Sequence, residues 1–140
     1  MAYNLHRPPS DRKEKQVQDS KRVLVVDDDD AIRRLVRTFL KRHGFETEEA
    51  KHGGEAIELI SDDNFGVVLL DLMMPVVSGY EVVDYLKLHQ PDRKCVIIMT
   101  AAGSRGTQDL DRTVIHEILY KPFELDQMVR LVEQCAGGRA

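Results

Sequence analysis

The chain has 140 residues, 42% hydrophobic and 31% charged, with a formal net charge of −4, which fits one domain with a full-sized core. That balance gives no reason to expect nucleic acid or an acidic membrane surface as the main partner. No apolar run approaches the roughly 20 residues that span a bilayer, and the N-terminus lacks the apolar core of a secretory signal.

Residues 1–20 are polar, carry Pro8-Pro9 and mixed charges, and show no sustained period. They are expected to form a flexible leader, ahead of a domain at 21–137 and a short tail at 138–140. Val23 to Val26 predicts a buried strand. A helix follows with Ile32, Leu35, Val36, Phe39 and Leu40 on one face, the stripe of a helix lying on a core. Asp30 is the expected N-cap and Gly44 the expected stop. Phe45 to Ala50 reads as a weaker, edge-like strand. Gly53-Gly54 opens a second helix through Ile57 and Ile60. Val67 to Leu70 predicts another buried strand. Ser78 to Glu81 has capping-box spacing before Val82, Val83 and Leu86, and Pro91 marks the break after that helix. Val96 to Met99 predicts a fourth strand ending in Thr100. A helix is expected near Thr107 to His116, then a short strand at Ile118 to Tyr120 ending at Lys121-Pro122. The last helix carries Leu125, Met128, Val129 and Val132.

Repeated strand-helix alternation implies an α/β fold, a parallel sheet with helices on both faces. Right-handed crossovers put every strand's C-terminal end on one edge, where the functional site of an open sheet lies. Asp27, Asp28, Asp71, Thr100 and Lys121 all sit just past strand ends, so they converge there. Carboxylates crowded into a poorly solvated site repel, and a cation among them relieves the repulsion. Oxygen-only ligands suit a hard ion such as Mg2+. Asp71 can act as a nucleophile toward phosphorus, forming an acyl phosphate. Asp28 and Asp71 would hold the ion, with Asp27 acting through metal-bound water. Lys121 supplies a point positive charge, Thr100 a hydroxyl for a phosphoryl oxygen, and small Ala101 leaves space. Singly, each of these residues could be a turn, a cap or a surface group. Their joint placement on one sheet edge argues otherwise; Asp30 is read as a cap only. Cys95 and Cys135 are expected to be free thiols in a reducing cytoplasm. His6, His43, His52, His89 and His116 show no metal-ligand spacing and are read as surface residues.

The segments VLVVDDDD at 23–30, LLDLMMPVVSGYE at 69–81, IIMTAA at 97–102 and YKPF at 120–123 resemble the response regulator receiver domain of two-component signalling. The resemblance runs from residue 22 to about 136. It implies a doubly wound, flavodoxin-like (βα)5 fold with a five-stranded parallel sheet in the order 2-1-3-4-5. It implies that Asp71 takes a phosphoryl group from a phosphohistidine of a sensor histidine kinase or histidine phosphotransfer protein, so that the chain is a switch and not an enzyme. Asp27, Asp28, Asp71 and the backbone carbonyl of Met73 would hold Mg2+. Thr100 and Lys121 would be the switch threonine and the site lysine, and the Lys121-Pro122 bond is often cis in similar proteins. None of the five His need be the donor.

Where relatives turn an aromatic inward, this chain has Ile118, and Thr113 to Glu117 lacks the usual Gly-Ala pair. An atypical output face around residues 101–120 is expected, with a mobile loop at Ala102 to Gly106. Tyr120 is a weak substitute, on the same strand face as Ile118. Met73 and Ala102 would flank the phosphoryl group, and neither can orient a water, so slow self-dephosphorylation is expected. Too few residues follow 136 for a DNA-binding domain. The reading is therefore either a stand-alone receiver acting on a protein target or a piece of a longer chain, with homodimerisation open. One alternative is a pseudo-receiver that binds partners without phosphorylation. A haloacid-dehalogenase-like hydrolase ranks last, because Met73 stands where a second acid is needed.

Overall fold

The computed structural model describes residues 21–62, 64–93, 95–101, 110 and 112–137. In chain order the elements are β1 (Arg22–Val26), α1 (Asp30–Arg42), β2 (Glu46–Ala50), α2 (Gly53–Asp62), β3 (Val67–Asp71), α3 (Gly79–His89), β4 (Val96–Ala101), β5 (Ile115–Lys121) and α4 (Leu125–Gly137). The strands form one sheet in the order β2-β1-β3-β4-β5, and every neighbouring pair is parallel. This is the expected doubly wound architecture and strand order. The leader at 1–20, the loop at 102–106, residues 107–109 of the expected helix and the tail at 138–140 lie outside the described residues.

The three central strands read as unbroken apolar runs because helices cover both faces of the sheet. Leu24, Val26, Val68, Leu70 and Ile98 point to α2 and α3, where they meet Ala56, Ile60, Val82 and Leu86. Val23, Val25, Leu69, Ile97 and Met99 point the other way, onto Val36 and Leu40 of α1 and Met128 and Val132 of α4. Alternation of period two divides one strand between two cores. Each such side chain contributes about 1.5–3 kcal/mol when fully buried. Cys95 and Cys135 are buried free thiols, with Sγ of Cys95 donating to the Cys135 carbonyl at 3.5 Å.

The N-cap of α1 is Asp29, whose carboxylate accepts from the amides of Ala31 at 2.9 Å and Ile32 at 3.1 Å. Asp30 was the expected cap; it begins the helix instead and pairs with Arg33. The helix ends as expected at Gly44, which takes φ 87°. There the amide of Phe45 donates to Leu40 and that of Gly44 to Lys41, a Schellman closure that a Cβ would strain. The buried face of α1 runs through Arg33, Val36 and Leu40, while Leu35 is 49% exposed, so the expected stripe is rotated toward Arg33.

Two further expectations are corrected. Ser78 occupies the N-cap of α3 but makes no side-chain capping bond; the entry is held by the Gly79 amide donating to Leu72 at 3.0 Å. Ile115 and His116, expected at the end of a helix, belong to β5. Their strand carries a register shift, with Ile115 opposite Val96 and Glu117 opposite Ile97. The extra residue breaks the alternation, so neither period runs cleanly through the sequence. At the opposite edge, β2 exposes Glu46 and Glu48.

Val76, in the turn after β3, has φ 65° and is 95% exposed. A β-branched residue is a true outlier there, and strain of this kind costs about 1–3 kcal/mol. Val76→Gly is expected to raise the urea midpoint, reporting about 1 kcal/mol or more of relief. An unchanged or lower midpoint would show that the turn is unstrained.

Candidate functional site

The site forms where β1, β3 and β5 end. Val26 pairs with Leu70, and Asp27 and Asp71 are the residues that follow them, with carboxylate oxygens close together. Asp27 is held at four polar atoms. Its amide donates to Ala50 at 3.1 Å, and its carbonyl accepts from Arg33 Nη1 at 2.8 Å. Its Oδ1 accepts from the Asp29 amide at 2.9 Å, and its Oδ2 meets Lys121 Nζ at 2.8 Å. Lys121 also reaches Oδ2 of Asp71, at 3.4 Å. The Lys121-Pro122 bond is cis. Asp27 and Asp71 are buried and Asp28 is exposed; carboxylate oxygens from all three lie within 4.8 Å of one another.

Burial pushes the Asp71 carboxyl above the usual carboxylate range, and the Asp27 charge adds to the rise. The Lys121 charge and the Met73 amide offset part of it. Burial alone would pull Lys121 down, but its bond to Asp27 and the charges of Asp27 and Asp71 prevail and hold it above its ordinary value. Three carboxylates against one ammonium leave an excess of negative charge on a set of oxygen donors. That donor set fits a hard divalent ion such as Mg2+ and does not fit a soft metal. Among the described residues, no His or Cys joins a metal-competent group.

The structure therefore brings together Asp27, Asp28, Asp71 and Lys121. The Met73 amide donates to Oδ1 of Asp71 at 3.2 Å, which puts that residue's backbone at the carboxylates although the residue as a whole is 60% exposed. Thr100 is fully buried on β4. Asp71 pairs with Met99 and Ala101 with Lys121, so Thr100 stands at the same sheet edge between them. Ile118 is partly buried against the α2–α3 core, and Tyr120 is 41% exposed. Ala102 lies outside the described residues.

Two contributors escaped the sequence reading. Arg33 is buried against Asp27, and an arginine between Ile32 and Leu35 gives no local sign of that. Gly79 packs so tightly on the Asp71–Leu72 backbone that a Cβ would collide with the Asp71 carbonyl and the Leu72 Cα. Gly79→Ala is expected to cost about 1–3 kcal/mol, the range for forced overpacking, and to shift Asp71 against Lys121. Denaturant midpoints within error of wild type would mean that the α3 entrance yields freely.

A family model of the response regulator receiver domain matches residues 23–133, and the chain belongs to this family. It is 36% identical over 116 residues to the transcriptional regulatory protein SrrA of Staphylococcus aureus, an alignment covering 81% of this chain and 47% of that protein. The chain thus spans about half the length of the curated relatives it matches. Among solved structures it resembles the response regulator TrrA of Thermotoga maritima in complex with Mg(2+)-BeF. That match has 35% identity and a TM-score of 0.74, covering 82% of this chain and 98% of the other. The receiver domain of the Francisella response regulator 1452 is 30% identical with a TM-score of 0.77, covering 86% and 99%. No described helix is long and apolar enough to cross a membrane.

Proposed function

We propose that this receiver accepts a phosphoryl group on Asp71 from a phosphohistidine of a sensor histidine kinase or a histidine phosphotransfer protein, and signals to a protein target through the face near residues 101–120. In the step, an Asp71 oxygen bonds to phosphorus, the P–N bond of the phosphohistidine breaks, and the departing imidazole nitrogen takes a proton. The Lys121 ammonium lies close enough to Asp27 and Asp71 to offset charge on the incoming phosphoryl oxygens. The Thr100 hydroxyl would donate to one of those oxygens. Asp27, Asp28, Asp71 and the Met73 carbonyl would hold Mg2+, which supplies charge neutralisation for the transferred group. The reading is carried by one observation: three carboxylates at the ends of two strands gather within 4.8 Å of one another, and an ammonium from a third strand contacts two of them, Asp27 and Asp71.

The test uses a small acyl phosphate with Mg2+. Intact mass should rise by one phosphoryl group, peptide mapping should place it on Asp71, and a chelator should prevent it. A phosphate-free protein under all donor conditions would favour a pseudo-receiver, and turnover of many phosphoesters a hydrolase. Because the Met73 side chain cannot orient water, the phosphoryl group is expected to persist for minutes or longer after the donor is removed. Loss within seconds would contradict this.

A further inference from the structure

The acidic site contains Lys121, yet a second cation stands behind it. Arg33 is 5% exposed, and its guanidinium is committed in three directions. Nε donates to Oε1 of Glu49 at 2.6 Å, Nη1 to the Asp27 carbonyl at 2.8 Å, and Nη2 to Oδ1 of Asp30. Glu49 is clamped in turn by Arg37, at 2.8 Å from its other oxygen, and Arg37 also donates to Oγ1 of Thr47 at 3.0 Å. Burial tends to pull the Arg33 pKa down, but its two carboxylate partners raise it overall.

The Asp27 carbonyl belongs to the peptide that joins Asp27 to Asp28. Asp27 faces inward, fixed by Ala50, Asp29 and Lys121, whereas Asp28 is exposed. Among the described contacts, the grip on that shared peptide is Arg33's. Glu49 gives Arg33 its own footing on β2, which pairs with β1 beside the site through Val25 and Val26. A planar fork can reach three acceptors at fixed angles; a lysine ammonium cannot reproduce that fork.

We propose that Arg33 is a positioning residue for the divalent-ion site, orienting the Asp27–Asp28 peptide so that both carboxylates address one ion. The inference rests on the reading of Asp27, Asp28 and Asp71 as a Mg2+ site and deepens it. It has an unusual sign. A positive charge near a cation site weakens binding by Coulomb repulsion, so removal of the charge alone would tighten it. Loss of positioning weakens it, and outer-shell partners of metal ligands are typically worth about 10–100-fold in affinity.

The experiment measures Mg2+ affinity of the full chain by titration calorimetry, with Mn2+ and its free-ion EPR signal as a second probe. Arg33→Lys keeps the charge and loses the fork; about 10-fold weaker binding is expected. Arg33→Met should also weaken binding, against the Coulomb direction. The half-saturating Mg2+ for acyl-phosphate labelling should rise by the same factor, while labelling at saturating Mg2+ stays near wild type. If an Arg33 variant fails to fold, the half-exposed Glu49→Gln, measured at about 0.5 M salt to screen charge effects, should weaken binding severalfold. Wild-type affinity in Arg33→Lys, or tighter binding in Arg33→Met, would overturn the proposal. A wild type that binds no Mg2+ would instead overturn the acidic-site reading on which it depends.

Discussion

Asp71→Asn is expected to abolish the phosphoryl mass gain and yet to melt higher than wild type in metal-free buffer at neutral pH. Asn preserves shape but cannot form an acyl phosphate. The stability gain follows from burial, which holds the Asp71 carboxyl above its usual range. A raised acid keeps its proton longer in the folded than in the unfolded chain. The contribution of Asp71 is therefore fully present below the unfolded pKa, about 3.9, and is lost as pH rises through the folded value. At neutral pH the ionised group opposes folding, and Asn removes that cost. Mg2+ should invert the order. A ligand at a hundredfold excess over its Kd adds about 2.7 kcal/mol to the stability of the folded state, and the Asn variant, one charged ligand short, gains less. Melting curves with and without Mg2+ read both effects. A variant that melts lower in both buffers would mean that Asp71 is a structural carboxylate.

Lys121→Met should be the most destabilising single change at the site. The lysine is shared by fully buried Asp27 and by Asp71, and removing one partner of a buried pair costs about 3–5 kcal/mol. The lower end is expected, since 21% of the Lys121 side chain meets solvent. Lys121 is held above its ordinary value, so its stabilisation is complete below the unfolded pKa near about 10.4 and is lost as pH rises through the folded one. In the variant the loss should deepen with rising pH as Asp71, whose carboxyl burial holds above its usual range, ionises with no ammonium beside it. Mg2+ should recover much of it and bind more tightly than in wild type, because no ammonium competes for the oxygens. Urea midpoints across pH, with and without Mg2+, test this; a loss that Mg2+ does not reduce would count against a shared cation site.

The legible parts of the fold were those with one dominant physical cause. Val23–Val26, Val67–Leu70 and Val96–Met99 are covered on both faces, so burial wrote itself into composition. The site acids could be placed because strand ends share an edge whatever lies between them in sequence. Other features depended on geometry that composition does not carry. Any residue of the Asp27–Asp30 run can cap a helix, and only the backbone path selects Asp29. The β5 bulge hid strand alternation at His116. Leu35 fits the helical stripe as well as Val36 does, yet the helix turns Arg33 inward because three acceptors await its guanidinium. Glu49, on a strand that otherwise looks merely acidic, was the available hint.

The glutamates of β2 also bear on self-association. An edge strand offers unpaired amides and carbonyls to any passing chain. A second molecule extending the sheet across this margin would bring Glu46 and Glu48 close to their own counterparts, with repulsion on each added rung. The strand that anchors Arg33 thus also discourages polymerisation along that border.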